Sequence, residues 1–188
     1  MASGEQDTDI TYNIYIHQHR LAAWAASTAA RASKLCRFKV EVGVAILEGA
    51  GFTPSLSTPD QLPTPEKVDT VHLEWRERLI SEAEKQGITF THGIAAKLVN
   101  TYLKVRFICG GYHEHDNAAS LHPPVDKLLL DMLADLKVGD KAKQWRQYSK
   151  KGWSKYSSDD YQKVIDLFRS VLDERPLWEI EKYWRGYQ

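Results

Sequence analysis

Cysteines and long apolar runs are both scarce in this chain. Its 188 residues include only two cysteines, Cys36 and Cys109, which lie far apart in the sequence. This spacing argues against a disulfide framework and favours a reducing cytoplasm. No apolar run approaches the roughly 18 residues that a transmembrane helix needs, so no membrane partner is expected. The first nine residues, MASGEQDTD, are acidic and polar, unlike the basic and apolar start of a secretory signal.

Net charge is also absent, since 25 Lys and Arg residues balance 25 Asp and Glu residues. Nucleic-acid-binding domains are usually basic overall, so this balance argues against a uniformly basic binding protein. The charge is nevertheless unevenly distributed. Residues 137–155 contain seven Lys or Arg residues and one acid, whereas acids outnumber bases in residues 60–84. A neutral chain of this kind can still carry one basic face.

Helical periodicity is present along most of the chain, and no alternating strand pattern is longer than four residues. The length fits a single helical domain, residues 1–188, with a sizeable core. Residues 1–16 are expected to be a flexible acidic N-terminus, and residues 52–64 a loop. Apolar spacing, caps and breakers predict an all-α fold, with helices over residues 17–35, 38–50, 66–86, 93–109, 124–136, 161–172 and 176–184.

A helical hairpin is predicted in the middle of the chain, where a short turn joins the helices over residues 66–86 and 93–109. The second helix opens with the run GIAAK at residues 93–97. A helix N-terminus presents free backbone N–H groups, and Gly93 would let an anion approach them closely. Lys97 lies one turn further along the same face. This arrangement predicts a contact with a DNA phosphate that does not read base sequence.

The hairpin and the later run PPVD at residues 123–126 resemble the core of the helix-hairpin-helix DNA glycosylases. That family's hairpin reads Leu-Pro-Gly-Val-Gly-x-Lys/Thr-x-Ala. Its catalytic Asp stands at the end of a Val-Pro-Val-Asp or Ala-Val-Asp run, where the next helix begins. Gly93, Ile94, Lys97 and Asp126 match this pattern. Ala95 replaces the second glycine, Thr-His stands at residues 91–92 where Leu-Pro is usual, and residues 110–120 form an insertion. The resemblance is confined to residues 66–136.

The resemblance implies a two-lobed, all-α glycosylase-like fold, with residues 66–136 as hairpin and catalytic core. Asp126 would be the catalytic carboxylate, because a negative charge stabilises the cationic sugar that forms as the bond to the base breaks. The partner would be DNA with an extruded base, and no cofactor, metal or obligate protein partner is expected. The residues expected to contact DNA are Gly93, Ala95, Lys97, Lys104, Lys150 and Trp153.

The expected reaction is hydrolysis of the N-glycosidic bond of a damaged or modified base in DNA. The insertion and the departures from the usual hairpin suggest an uncommon base, such as one of viral origin. DNA repair and antiviral defence are both compatible with that substrate.

Lys85 is the candidate amine nucleophile for a lyase reaction, in which an amine attacks the sugar carbon. In the lyase branch of the resembled family an amine lies just ahead of the hairpin, at a similar distance. Glu82 and Glu84 lie beside Lys85 and favour its charged form, and Gly87 suggests a solvated helix end. A monofunctional enzyme is therefore expected.

Trp24, His19 and Arg20 are candidates for the pocket that receives the extruded base. They share an Ala-rich helix whose small side chains allow close packing around an aromatic ring. Trp24 could stack on a base, or it could be a core residue packed in the Ala-lined groove. Both interpretations stay open at this level.

The basic segment 137–155 also has two interpretations. It interleaves Lys and Arg with Trp and Tyr, a pattern typical of a surface that follows phosphates and stacks on bases. A surface loop whose tryptophans pack on the core fits equally well.

Two further functions compete with the glycosylase. A helical nuclease would use His113, His115 and His122 to bind a metal, and residues 113–116, HEHD, fit a solvated polar loop as well. A non-catalytic nucleic-acid-binding or protein-interaction module would keep the hairpin without a pocket. A cleft beside Asp126 that faces the Gly93 turn favours the enzyme, whereas burial of Asp126 as a helix cap without a cleft favours the module.

Overall fold

The computed structural model describes residues 11–187, and all regular structure in that range is helical, which confirms the all-α prediction. The α-helices are α1 (Ile14–Ala30), α2 (Val40–Gly49), α3 (Val68–Lys85), α4 (His92–Leu103), α5 (Asp116–Ala119), α6 (Lys127–Asp135), α7 (Ala142–Lys151) and α8 (Ser158–Leu172). A π-helical stretch, Lys104–Tyr112, continues α4. Short 3-10 helices cover Pro59–Gln61, Val138–Asp140, Trp153–Lys155 and Leu177–Tyr183.

The first helix begins and ends earlier than predicted. The side chain of Asn13 accepts hydrogen bonds from the backbone amides of Tyr15 and Ile16, so the helix begins at Ile14. It ends at Ala30 rather than at residue 35. The expected flexible N-terminus is therefore wrong for residues 14–16, while residues 1–10 lie outside the part of the chain that the structure describes.

Residues 137–155 are mostly helical, so this segment is not a loop, but its tryptophans do pack on the core as that interpretation expected. The apolar face of α7 carries Trp145, Tyr148 and Ser149, all of which are buried. Trp145 is fully enclosed, and its indole N–H donates to the carbonyl of Val138 at 2.9 Å. Most of the basic residues lie on the opposite face, a helical amphipathicity hidden by the dense mixture of charges and aromatics in the sequence.

Helix α4 is the central element of the fold, and nearly all of its residues are buried. It lies between two hydrophobic clusters. One is built mainly from α1–α4 and includes Ala95; the other is built mainly from α6–α8 and the segment after α8, and includes Ala96. Trp153 packs against both clusters. Because successive positions of α4 face different clusters, polar side chains on α4 lie where the two clusters meet.

A buried arginine ties the continuation of α4 to the N-terminal part of the fold. The guanidinium group of Arg106 donates to the carbonyls of Leu56, Tyr15 and Pro54 at 2.9, 2.7 and 2.8 Å. These three acceptors compensate for the removal of its charge from water. The loop after α2 and the first turn of α1 are thereby fixed to the π-helical stretch.

Candidate active site

Asp126 caps the N-terminus of α6. Its backbone is extended, and its Oδ1 atom accepts a hydrogen bond from the amide of Leu129 at 2.9 Å. The two prolines before it, Pro123 and Pro124, favour an extended lead-in, and an Asp at this position satisfies an otherwise free helical amide. Local sequence therefore explains why the carboxylate stands at the start of a helix.

The second oxygen of this carboxylate is held by two distant residues. Oδ2 accepts from the Nζ atom of Lys97 at 3.3 Å and from the indole Nε1 of Trp184 at 2.9 Å. Lys97 lies on α4, and Trp184 directly follows the last 3-10 helix. Three donors from three parts of the chain thus fix both oxygens of Asp126.

Lys97 is a buried cation, with only 8 % of its surface exposed. Burial lowers the pKa of its ammonium group, and the neighbouring Asp126 carboxylate partly opposes that effect. The ring of Trp153 lies 5.7 Å from Nζ, close enough for a cation–π contact. A second ion pair lies nearby, between Lys104 and Glu181 at 2.8 Å.

Glu181 links the two ion pairs electrostatically. Burial raises the pKa of its carboxyl group, while Lys104 and Lys97 favour its charged form. The cluster of Lys97, Asp126, Lys104 and Glu181 therefore brings two basic and two acidic side chains together, none of them more than 28 % exposed. Titratable groups such as Lys97 and Glu181, whose pKa values are perturbed by burial and opposed by specific partners, are typical of functional sites.

A cleft of about 330 Å³ opens beside this cluster. Lys97, Asp126 and Lys127 contribute its charges, and Trp153 and Trp184 its aromatic surfaces. Its complete lining is Ala29, Ala32, Lys97, Asp126, Lys127, Leu128, Trp153 and Trp184. Asp126 is thus both a helix cap and a wall of a cleft. Gly93 is not among the lining residues, so the expected cleft is found beside Asp126 but not at the Gly93 turn.

A larger cleft, of about 520 Å³, lies elsewhere, between the segment after the π-helical stretch and the end of α8. Its cations are engaged at the surface, since Arg169 bonds Asp69 and Arg175 bonds Glu179. It has no buried ion pair comparable to that of Lys97. The smaller cleft at Asp126 is therefore the better candidate site.

A buried polar network holds the segment that leads to Asp126. The side-chain amide of Asn100, one turn after Lys97 on α4, donates to the carbonyl of Pro123 at 3.0 Å and to the hydroxyl of Tyr161 at 2.9 Å. His122 continues the network, with its ring nitrogens 3.0 Å from the Tyr161 hydroxyl and 2.8 Å from Asp69. Asn100 therefore couples α4 directly to the turn before α6.

The predicted phosphate contact at the hairpin turn is wrong for Gly93 and Ala95. The amide of Gly93 already donates to the carbonyl of Tyr156 at 3.2 Å, and Ala95 is fully buried. A side chain at residue 93 would overlap the carbonyl of Trp153. The protein's own chain therefore covers the N-terminus of α4 where a phosphate was expected.

The other residues predicted to contact DNA lie in different environments. Lys97 is buried against Asp126 instead of facing outward, and Lys104 is paired with Glu181. Trp153 is half-buried in the wall of the cleft. Lys150 is exposed on α7, where a phosphate could reach it.

Lys85 does not reach the cleft. It lies in the last turn of α3, is well exposed, and bonds Glu82 at 2.6 Å. The amine beside Asp126 is that of Lys97.

His19, Arg20 and Trp24 do not form a pocket at Asp126, which corrects their assignment as the base pocket. His19 and Arg20 line a separate cavity of about 430 Å³ between α1 and α2, and Trp24 is exposed. The buried ring of His19 lies 2.9 Å from the Tyr102 hydroxyl and 3.1 Å from Glu48, and burial lowers its pKa. The part of α1 that reaches the Asp126 cleft is its C-terminal end.

The three histidines of the nuclease hypothesis are not assembled. His122 is buried in the network behind Asp126, His113 lies against Trp178, and His115 lies 3.4 Å from Asp60. Within residues 11–187 no group of three or more His, Cys, Asp or Glu residues is arranged to hold a metal ion. The nuclease hypothesis is therefore wrong in its geometry.

Sequence reasoning missed Trp184, Glu181 and Asn100. The spacing of the C-terminal aromatic residues suggests only that they pack on the core. Nothing in that spacing indicates that Trp184 bonds a carboxylate 58 residues away. Asn100 shares a face with Lys97, and an amide at a buried position of a central helix was the one local signal that could have been used.

No protein-family model, curated protein or solved structure was found to match this chain. Within residues 11–187 no helix is both long enough and apolar enough to cross a membrane.

Proposed function

We propose that the protein is a DNA glycosylase of the helix-hairpin-helix type that acts in the cytoplasm. It would hydrolyse the N-glycosidic bond of a damaged or modified base, with Asp126 as the catalytic carboxylate. The observation that carries the proposal is the ion pair of the buried Lys97 with the half-buried Asp126, both of which line a cleft. The two hydrophobic clusters on either side of α4 would correspond to the two lobes of such an enzyme.

The chemistry requires a fixed negative charge. Cleavage of the bond to the base builds positive charge on the sugar, and a carboxylate held beside it stabilises that charge. The three donors to Asp126 hold it in place before the reaction, so little reorganisation is needed in the transition state. Water then attacks the sugar carbon, and the base leaves as a free molecule.

The cleft has a size suited to one base. Ligand pockets have volumes of about 300–1,000 Å³, and this one, at about 330 Å³, lies at the lower end. A base in a duplex would have to leave the stack to enter it. Trp153 and Trp184 would supply aromatic surfaces for that base in place of Trp24.

Exposed cations near the cleft would hold the DNA backbone. Lys127 lies at its mouth and Lys150 is on the exposed face of α7, where the basic segment 137–155 continues. Such contacts bind phosphates without reading sequence, so selectivity would reside in the cleft. A modified base, including one of viral origin, is the substrate class we propose.

A lyase is the second candidate, and the burial of Lys97 favours it. An amine with a lowered pKa is a better nucleophile, and Nζ lies 3.3 Å from Asp126. Its attack on the sugar carbon would form a C–N bond and expel the base, which takes up the proton lost by the amine. Opening of the sugar ring would then leave an imine and a free ring hydroxyl group. The expected monofunctional reaction rests on the surroundings of Lys85, which is not at the cleft.

The direct test is to incubate the protein with DNAs that carry different lesions and modifications, and to measure released bases by mass spectrometry. Release of one base class, lost in Asp126→Asn, would support the glycosylase. DNA binding without release from any of these DNAs would support the non-catalytic module.

Borohydride trapping separates the two routes of base release. A covalent protein–DNA adduct that is lost in Lys97→Gln and kept in Lys85→Gln would establish the amine route. Intact abasic strands without an adduct would establish the monofunctional route.

A further inference from the structure

The segment after α8 reaches the candidate site through one side chain. The 3-10 helix Leu177–Tyr183 packs against α8 and α6, and Trp184 follows it in an extended conformation. The indole N–H of Trp184 points at Oδ2 of Asp126, at a distance of 2.9 Å. This is a charge-assisted hydrogen bond from a neutral donor in a half-buried place.

The orientation of Trp184 is itself fixed by its surroundings. The ammonium group of Lys104 lies 5.5 Å from its ring centre, and Lys104 is held by Glu181 at 2.8 Å. Gly186 lies so close to the indole that a side chain there would overlap the ring. The indole therefore has little freedom to turn away from Asp126.

Trp178 provides an internal contrast on the same segment. Its Nε1 atom is buried and has no hydrogen-bond partner among residues 11–187. Its ring meets that of His113 edge to face, at 6.0 Å, away from the cleft. The two tryptophans of this segment therefore differ in their partners, and of the two it is Trp184 that donates to a carboxylate.

We propose that Trp184 is a positioning residue for Asp126, and this inference rests on the proposed glycosylase function. The other donor to Oδ2, Lys97, has a longer bond of 3.3 Å and a flexible side chain. The amide of Leu129 holds Oδ1, and of the two donors to Oδ2 the indole of Trp184 makes the shorter bond. Trp184 therefore sets the position of that oxygen more closely than Lys97 does. The C-terminal segment thus contributes directly to the site, because Trp184 orients the carboxylate of Asp126.

The kinetic test compares Trp184→Phe with the matched control Trp178→Phe in the full chain. Phenylalanine keeps the aromatic packing and removes the N–H donor in both variants. A hydrogen bond to a charged group contributes roughly 1.5–3 kcal/mol, so Trp184→Phe should slow single-turnover base release at least about tenfold. DNA affinity should change less than about twofold in either variant, because phosphate contacts are retained. Trp178→Phe should release base at the wild-type rate.

A purely structural role for Trp184 predicts a different pattern. Loss of packing would lower the melting temperature and raise the dissociation constant for DNA along with the loss of rate. Wild-type rates in Trp184→Phe at a temperature well below its unfolding transition would overturn the proposal.

A second measurement needs no DNA and no activity. The chain has six tryptophans, so six indole N–H signals are expected in a ¹⁵N-labelled sample. Asp126→Asn should shift the Trp184 signal upfield by removing the charged acceptor, and should leave the Trp178 signal in place. An unmoved Trp184 signal would overturn the positioning role even if Trp184→Phe does not fold.

The two measurements distinguish failure of this inference from failure of the proposed function. A shifted Trp184 signal in a protein that releases no base would reject the glycosylase and leave the contact established. Base release lost in Asp126→Asn but unchanged in Trp184→Phe would reject the positioning role and keep the glycosylase.

Discussion

The N-termini of α4 and α6 have similar local chemistry and opposite accessibility. Thr91 caps α4 by accepting from the amide of Ile94, and Asp126 caps α6 by accepting from the amide of Leu129. The amide of Gly93 is bonded to Tyr156, whereas Asp126 borders an open cleft. One helix start is sealed by the chain itself, and the other is exposed to a ligand.

The difference shows that a helix N-terminus becomes a binding site only when tertiary contacts leave it open. At α4, the hydroxyl of Thr91 donates to the carbonyl of Ser154 at 2.9 Å, which fastens the segment Trp153–Lys155 over the turn. At α6, the donors to Oδ2 of Asp126 are the side chains of Lys97 and Trp184, which do not cover the carboxylate and leave room for the cleft. The glycine that would admit a phosphate at α4 admits the protein's own carbonyl group instead.

The largest expected effect is on the open helix start. Asp126→Asn should lower base release by about 10²–10³-fold, because the side chain no longer carries the charge that stabilises the sugar cation. Asn is also a good helix cap, so the start of α6 should be retained. Single-turnover assays at equal protein concentration measure the change, with a thermal melt as control. Activity near the wild-type level would remove Asp126 from the mechanism.

Gly93→Ala tests the sealed helix start. The added methyl group would overlap the carbonyl of Trp153, and overpacking of this kind costs about 1–3 kcal/mol. Gly110→Ala is the matched control, since the nearest atom to its added Cβ would lie 3.9 Å away. Chemical denaturation of both variants measures the difference. Equal stabilities would show that the turn is open in solution and would restore it as a phosphate site.

Acid sensitivity should come from the network behind the open helix start. Burial lowers the pKa of His122 and of His72, while Asp69 opposes the shift at His122. The unfolded chain therefore binds more protons than the folded one below about pH 6.5, and stability should fall as pH falls from there. In His122→Gln this fall should be shallower by up to about 1.4 kcal/mol per pH unit.

The measurement for this prediction is the free energy of unfolding between pH 7.5 and 4.5, for the wild-type chain and the variant. Parallel curves would show that His122 is already solvated, and that the segment before Asp126 is less firmly held than the hydrogen bonds suggest.

The smallest effect distinguishes a buried from an exposed lysine. Lys150→Ala should reduce the slope of log affinity for DNA against log salt by about one unit, since an exposed cation that contacts phosphate releases a counterion. Lys97→Met should leave that slope unchanged, because the ammonium group of Lys97 is paired with Asp126 and does not contact phosphate. Binding titrations at several salt concentrations test both. A reduced slope in Lys97→Met would return Lys97 to the DNA surface.

Helix positions were predictable from sequence where the residues that start or end a helix lie next to it in the chain. Thr64 and Pro65 indicate the start of α3 to within a few residues, and Asp126 is recognisable as a helix-opening acid. Errors occur where signals compete. The helix predicted over residues 161–172 begins earlier, at Ser158, because Ser157 caps α8 and Asp160 completes a capping box. In α7 the abundance of charge obscured an amphipathic helix.

The site was predictable only in part, for a physical reason. Asp126 carries a local signature, but its partners are set by tertiary packing. Lys97 has the residue type and spacing of a phosphate-binding lysine, and only the fold reveals that it points inward to a carboxylate. Trp184 has no local signature at all, because a hydrogen bond over 58 residues leaves no periodic trace in the sequence.

The order in which the chain is made bears on when the site can exist. Lys97 and Asp126 are 29 residues apart, and Trp184 follows after a further 58. During synthesis, α4 leaves the ribosome long before the segment that covers its N-terminus and before Trp184. A nascent chain that stalls before Trp184 therefore lacks one of the three donors to Asp126, and the full set of donors forms only after that residue has left the ribosome.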